Sequence, residues 1–268
     1  MAPESSTTSS GAHLDRIVQI ACTPNDAYVL TDDGHVGCFS TSLNPCGRTR
    51  SVALPAGAVY QLLIDGLIDE AQIAVDWRHG CSRRHDGTVR CWGFNSSGQL
   101  GDGTTGDRTN PVSVAFLGGF ASQVAIGDAF SCALLVDGRV RCWGSNARQQ
   151  LGDGTMDWLR TVPGDVPGAA GALWIATGSD FACAGMRSGR VRCWGANEFG
   201  QLGDGTTESR STATDAIALQ GARGVSLGDY RNCAFFERDE VKCWGGIAGD
   251  GSLPKTLDLS SISPTSPP

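Results

Sequence analysis

One pattern recurs along the chain and restricts its fold more than any other feature. CSRRHDGTVRCWGFNSSGQLGDGT begins at Cys81, CALLVDGRVRCWGSNARQQLGDGT at Cys132 and CAGMRSGRVRCWGANEFGQLGDGT at Cys183. A fourth copy, CAFFERDEVKCWGGIAGDGS, begins at Cys233 with its later loop shortened. The first cysteines are 51, 51 and 50 residues apart. A degenerate copy, YVLTDDGHVGCFS, precedes them and carries Cys38-Phe39 where the others have Cys-Trp; Cys38 lies 53 residues before Cys91. Self-similarity at a fixed period of this size marks an array of like units.

Each unit has the same local logic. A short strand meets an Asp-Gly or Ser-Gly turn, and a second strand leads to Cys-Trp-Gly. Glycine at such a turn accepts positive φ because it has no Cβ to clash. The copy from Cys233 departs, with Arg238-Asp239-Glu240 replacing the turn glycine. A polar loop follows, and another strand-like stretch (QVAIGDAF, LWIATGSDF or GVSLGDY) precedes the next unit. The reading is four short strands per unit and no long helix. The stretch 61–72, QLLIDGLIDEAQ, is expected to form one or two helical turns. Four strands per unit, repeated, is the mark of propeller blades, whose faces are buried only when blades stack around an axis. The expected fold is all-β: a β-propeller of about five four-stranded blades.

The motif C-A-L-x-x-D-G-x-V-x-C-W-G-x-N-x-x-G-Q-L-G-D-G-T resembles the repeat of the regulator of chromosome condensation family, in its cysteine-bearing bacterial variety. The resemblance spans residues 16–260. It implies a single propeller domain over 15–260, a Ser/Thr-rich leader over 1–14 and a tail over 261–268. The resemblance also implies seven blades, whereas five units are countable. An open arc and two missing blades are alternatives, but closure with five is the expectation.

Eight of the eleven cysteines fall in pairs ten apart: Cys81/Cys91, Cys132/Cys142, Cys183/Cys193 and Cys233/Cys243. With a three-residue loop ending in Gly138, Leu135 faces Arg139 and Cys132 faces Cys142. Opposed residues on antiparallel strands bring their Cβ atoms within disulfide reach. A two-residue loop would instead set Cys132 opposite Trp143. Four hairpin disulfides are therefore expected, against the alternative of eight reduced cysteines packed as small apolar residues. Disulfides persist in oxidising compartments, so an extracytoplasmic location is expected, although 1–15 holds neither a basic n-region nor an apolar h-region. Cys22, Cys38 and Cys46 remain. Tyr28 stands where Cys38 would find its partner.

The net charge of −7 argues against nucleic acid, whose phosphates need a basic face. No apolar run is long enough to span a bilayer as a helix, so no membrane insertion is expected. No C-x-x-C, H-E-x-x-H or G-x-S-x-G is present. Neither a metal, a cofactor nor a catalytic residue is expected. Asp102, Asp153 and Asp204 of the GQLGDGT-type loops read as turn punctuation. Trp92, Trp143, Trp194 and Trp244 read as packing between blades, and Trp174 as core.

Positions that vary within a regular array are free of the scaffold's demands. The loop before each first cysteine varies most: Trp77-Arg78-His79, Phe130, Phe181 and Tyr230-Arg231. Equivalent loops of a propeller lie on one face, and aromatics with arginine there suit a protein partner. Trp158 is a further candidate. Phe130 and Phe181 have an alternative role as filler between blades. The family resemblance implies relatives that act as exchange factors for a small GTPase, as protein inhibitors of β-lactamases or as interaction domains. Disulfides fit poorly with an intracellular exchange factor. The expected function is thus a non-enzymatic recognition or inhibitor-type propeller. The alternative is an enzyme or small-molecule binder using the central channel or a loop-lined pocket near Arg78, His79 or Asp180. The sequence leaves the oligomeric state open.

Overall fold

The computed structural model describes residues 16–24, 26–40, 60–217, 219–237, 240–246 and 255–256. The expected leader and tail, the turn residues Arg238 and Asp239, and Cys46 lie outside them.

The described residues form five antiparallel four-stranded sheets, each running in sequence order from first to fourth strand. Blade 1 holds β1 (Ile17–Cys22), β2 (Asp26–Thr31), β3 (Val36–Ser40) and β4 (Tyr60–Leu63). Blade 2 holds β5 (Glu70–Val75), β6 (His79–Arg84), β7 (Val89–Gly93) and β8 (Arg108–Ser113). Blade 3 holds β9 (Ala121–Ile126), β10 (Phe130–Leu135), β11 (Val140–Ser145) and β12 (Leu159–Asp165). Blade 4 holds β13 (Ala172–Thr177), β14 (Phe181–Met186), β15 (Val191–Gly195) and β16 (Arg210–Asp215). Blade 5 holds β17 (Gly224–Leu227), β18 (Asn232–Phe235), β19 (Val241–Trp244) and β20 (Lys255–Thr256). The expected helical turns at 61–72 are absent. That stretch is the end of β4, a turn through Gly66 (φ +87°) and the start of β5.

The hairpin loop has three residues. Leu135 N–H donates to Arg139 O (2.8 Å), and Gly138 takes φ +85°. Cys81 therefore opposes Cys91, Cys132 opposes Cys142, Cys183 opposes Cys193 and Cys233 opposes Cys243. All four pairs are disulfide-bonded, with Cα atoms 4.0 to 4.1 Å apart. Blade 5 keeps this register without the glycine, through Phe236 N–H to Glu240 O (2.9 Å). Tyr28 opposes Cys38. Cys38 is itself disulfide-bonded, and Cys22 is free and exposed. Alkylation of the denatured, unreduced protein is expected to label Cys22 and to reach the eight hairpin cysteines only after reductant. Labelling of those eight without reductant, read by peptide mass, would exclude the disulfides.

Blades join through parts repeated along the array. Each Cys-Trp tryptophan is buried, and in blades 3 to 5 its indole N–H donates to the preceding blade: Trp143 to Gln99 O (2.9 Å), Trp194 to Gln150 O (3.0 Å), Trp244 to Gln201 O (2.8 Å). A Cβ on Gly101 would lie 2.7 Å from the Trp143 indole nitrogen, so that loop admits only glycine. Gln19, Gln72 and Gln123 each staple the next first strand, at Ile73, Val124 and Ile175, taking its N–H and giving to its C=O. Arg141 and Arg192, just before Cys-Trp, donate to Phe116 O (2.7 Å) and Gly168 O (2.6 Å) and so clamp the turn between blades.

The GDGT aspartates organise their own loops, as their glycine-rich setting suggested. Buried Asn95 donates to Asp102 Oδ1, Thr104 O and Gly106 O, and Asp102 pairs with Arg108 at 2.7 Å. Burial pushes the Asp102 carboxyl up. The Thr104 hydroxyl and N–H and the Arg108 guanidinium outweigh it and hold the group below its ordinary value.

The fifth seam differs from the other four. Ile73, Val124 and Ile175 are 1 to 3% exposed beneath the preceding blade, yet Ile20, their counterpart in β1, is 63% exposed. The hairpin cysteines of blades 2, 3 and 4 are buried, whereas Cys233 and Cys243 are half-buried beside exposed Phe235. The stapling glutamine of blades 1 to 3 is replaced by Trp174 in blade 4 and by Gly224 in blade 5, so this tie is missing from the fourth seam as well as the fifth. Among the described residues, blade 5 does not cover blade 1 as each earlier blade covers the next.

Candidate protein-interaction face

In every blade the loop between first and second strands lies at one end of the sheet, joined in blades 2 to 4 by the loop between third and fourth. The hairpin turns lie at the other. The first set surrounds a cavity of about 950 Å³ to which all five blades contribute, through Thr23, Trp77, Asp128, Asp180 and Tyr230 among others.

Trp77 stands on this rim, 56% exposed. Its indole N–H donates to Asp128 Oδ1 (2.8 Å), and Arg78 Nε donates to the same oxygen (3.0 Å). The Arg78 guanidinium lies over the Trp77 ring at 4.0 Å, within cation–π range. Asp76 Oδ1 fixes the loop below by accepting from the Arg78 and His79 N–H groups (2.7 and 2.6 Å). The stack is thus held by two neighbouring blades before any partner arrives. Across the cavity the exposed Tyr230 ring meets Phe199 edge-on at 4.6 Å, and Arg231 is exposed beside it. Trp158 is 79% exposed on the third-to-fourth-strand loop of blade 3.

Three expected contact residues face inward instead. Phe130 and Phe181 are wholly buried, and His79 nearly so. The cause is local: a Cβ on Gly127 or Gly178 would collide with the ring of Phe130 or Phe181, so each glycine lets the ring three residues on pack beneath the loop. Gly-x-x-Phe in the sequence was the available signal. Asp76-x-x-His79 puts imidazole in the same place.

Asp76, His79 and Ser131 form a line that invites comparison with a hydrolase triad. His79 Nδ1 is 3.2 Å from Asp76 Oδ1, and Nε2 is 2.9 Å from Ser131 Oγ. The polarity is wrong for attack. Ser131 Oγ donates to Gln99 O (2.9 Å), which leaves Nε2 as the donor to Oγ rather than the base that would deprotonate it. Neither Ser131 nor His79 lines the cavity, and Ser131 is wholly buried. The line is a tie between blades 2 and 3.

The cavity wall is acidic. Asp76, Asp128, Asp180, Asp229 and Glu198 contribute, against Arg148, which pairs with Glu198. Burial and then the nearby Asp128 charge push the Asp180 carboxyl up. Among the described residues no group of three or more His, Cys, Asp or Glu is placed to hold a metal, and no helix is long and apolar enough to cross a membrane.

Comparison with known proteins agrees with the repeat and the blades. A family model described as the regulator of chromosome condensation (RCC1) repeat matches residues 86–134 and 137–184, and a second model of that description matches 121–150 and 175–201. The chain is 30% identical over 274 residues to the Ultraviolet-B receptor UVR8 of Arabidopsis thaliana, covering 93% of this chain and 60% of that protein. It is 38% identical over 141 residues to the human E3 ubiquitin-protein ligase HERC2, covering 52% of this chain and 3% of that protein. Yeast RCC1 (Prp20), in its crystal structure with Kap60 bound, superposes with a TM-score of 0.75 at 18% identity, over 90% of this chain and 63% of that one. At that identity the likeness is one of fold. The chain thus spans 60% or less of the length of both curated relatives. On its repeat, its blades and these matches, the chain belongs to the regulator of chromosome condensation repeat family.

Proposed function

We propose that this protein is a recognition or inhibitor-type propeller that holds a protein partner on the cavity-bearing face and works outside the reducing cytoplasm. The observation that carries the reading is the Trp77–Arg78–Asp128 stack. A half-exposed tryptophan, already ordered and backed by arginine, loses little conformational entropy on binding. Residues of this kind dominate interface energies. Tyr230, Arg231 and Trp158 extend the same face. Yeast RCC1 seen with Kap60 bound supports the reading by analogy of fold. The four hairpin disulfides support the compartment.

The test is affinity capture from extracellular and envelope fractions of the source organism, comparing wild type with Trp77→Ala/Tyr230→Ala and Phe116→Gly. Phe116 is exposed on the opposite face at φ +52°, where blades 1 and 3 have Gly66 and Gly168 before the next blade. The double variant is expected to lose a partner that wild type and Phe116→Gly retain, with affinity down at least tenfold. Equal retention by all three proteins would refute the face assignment.

A further inference from the structure

We propose that the cavity receives an arginine side chain of the bound partner, seated against Asp180, Asp229 and Tyr230, with a backbone carbonyl of the same segment on Gln201. The proposal rests on the reading of this face as a protein-binding surface and names the chemistry that enters it. Two walls of the cavity differ in one part. On the blade 2 side, ring, carboxylate and guanidinium complete one another: Arg78 lies over Trp77, and Asp128 accepts from both. On the side of blades 4 and 5, the Tyr230 and Phe199 rings and the Asp180 and Asp229 carboxylates line the same space. Among the described residues neither of these carboxylates has a cation. Asp180 Oδ1 accepts from Gln150 Nε2 (3.1 Å), and Asp229 Oδ1 accepts from the Ser179 hydroxyl. Arg148 also lines the cavity, but Glu198 pairs with it.

Gln201 points to a ligand independently of charge. It lines the cavity and is 3% exposed. Its Oε1 accepts from Phe199 N–H (2.9 Å), and its amide Nε2 has no acceptor among the described residues. The corresponding Gln150 gives that amide to Asp180. A buried donor left open costs stability until an acceptor reaches it. An entering peptide segment brings a carbonyl for Gln201 together with a cation for the carboxylates. Arginine suits the carboxylates and the ring better than lysine does, because its planar donors meet two acceptors at once and its plane stacks on an aromatic face.

The test is a nuclear magnetic resonance titration of the isotope-labelled, oxidised protein with the peptide acetyl-Gly-Arg-Gly-amide and its counterparts carrying citrulline or glutamate at the centre. Citrulline keeps the shape of arginine without its charge. The arginine peptide is expected to shift the Gln201 side-chain amide and to bind about tenfold or more tighter than the citrulline peptide, and the glutamate peptide is expected not to bind. Asp180→Asn/Asp229→Asn keeps both hydrogen-bond acceptors and is expected to weaken the arginine peptide about tenfold or more. Asp137→Asn/Asp165→Asn changes the net charge equally at exposed positions on the hairpin-turn end of blade 3 and is expected to leave binding within about twofold. No binding at millimolar arginine peptide, equal binding of the citrulline peptide, an unmoved Gln201 amide or equal losses in the two double variants would each overturn the proposal. In the capture experiment, a partner that needs Trp77 and Tyr230 but is held equally by Asp180→Asn/Asp229→Asn would overturn the arginine and leave the face assignment standing.

Discussion

Wild-type protein is expected to lose up to about 3 kcal/mol of stability between about pH 4.5 and pH 7 through one side chain, Glu70. Glu70 opens β5 and is 1% exposed, where blades 3 and 4 have buried Ala121 and Ala172. Its carboxyl oxygens are buried without a hydrogen bond of normal geometry. Burial raises its pKa from 4.5 to about 7; the Ser82 hydroxyl, Arg90 and Arg84 act in the opposite direction without prevailing. A carboxyl whose folded pKa lies above the unfolded one holds its proton more tightly when folded. Stability therefore falls as pH rises from the unfolded value and levels off above the folded value. At about 1.36 kcal/mol per pH unit the interval gives the figure stated. Glu70→Ala restores the residue of blades 3 and 4 and is expected to remove that slope. Urea unfolding at a series of pH values, with disulfides intact, measures it. Parallel pH profiles for wild type and variant would show that Glu70 ionises freely in the folded chain. Asp102 and Asp204, whose pKa values are lowered, give stability lost only at more acid pH, so the windows separate.

Trp194→Ala is expected to cost roughly 3–5 kcal/mol, the range for deleting a large buried aromatic. The ring is wholly buried between blades 3 and 4, among Leu134, Leu151, Val166 and Ile175. Its loss leaves a cavity and deprives Gln150 O of its donor. Blades touch mainly their neighbours, so the damage is expected to concentrate at that seam. Hydrogen exchange should rise most in β11, β13 and β15 and least in blade 1. Denaturant unfolding gives the magnitude. A cost below about 1 kcal/mol, or exchange rising evenly over all blades, would mean that the tryptophan does not hold the seam.

Much of this structure is written locally. The hairpin follows from the Asp-Gly turn; the sequence left its loop at two or three residues, the Leu135–Arg139 bond settles three, and facing cysteines then follow by counting. The stretch 61–72 was misread because a run rich in Leu and Ile suits either structure, and the deciding residue is Gly66 in a turn that recurs as Val166-Pro167-Gly168-Ala169. The loop face was legible in part. Trp77, Tyr230, Arg231 and Trp158 are exposed. Phe130 and Phe181 take the filler role that was the alternative for them, because Gly127 and Gly178 open a space beneath the loop, and His79 turns inward at the Asp76 turn. The stapling glutamines and turn-clamping arginines escaped notice because their partners are backbone groups some 25 to 50 residues away.

By itself, then, the sequence determined the four-stranded blade, its hairpin, the ten-residue spacing of its paired cysteines and its place in the repeat family. These rest on contacts within about ten residues or on a period visible by eye. Only the tertiary structure decided that the fifth seam differs from the other four, and which rim side chains meet solvent. A repeat encodes how one blade sits on the next. Whether the last blade reaches the first depends on the rotation summed over every seam, and no single unit contains that sum.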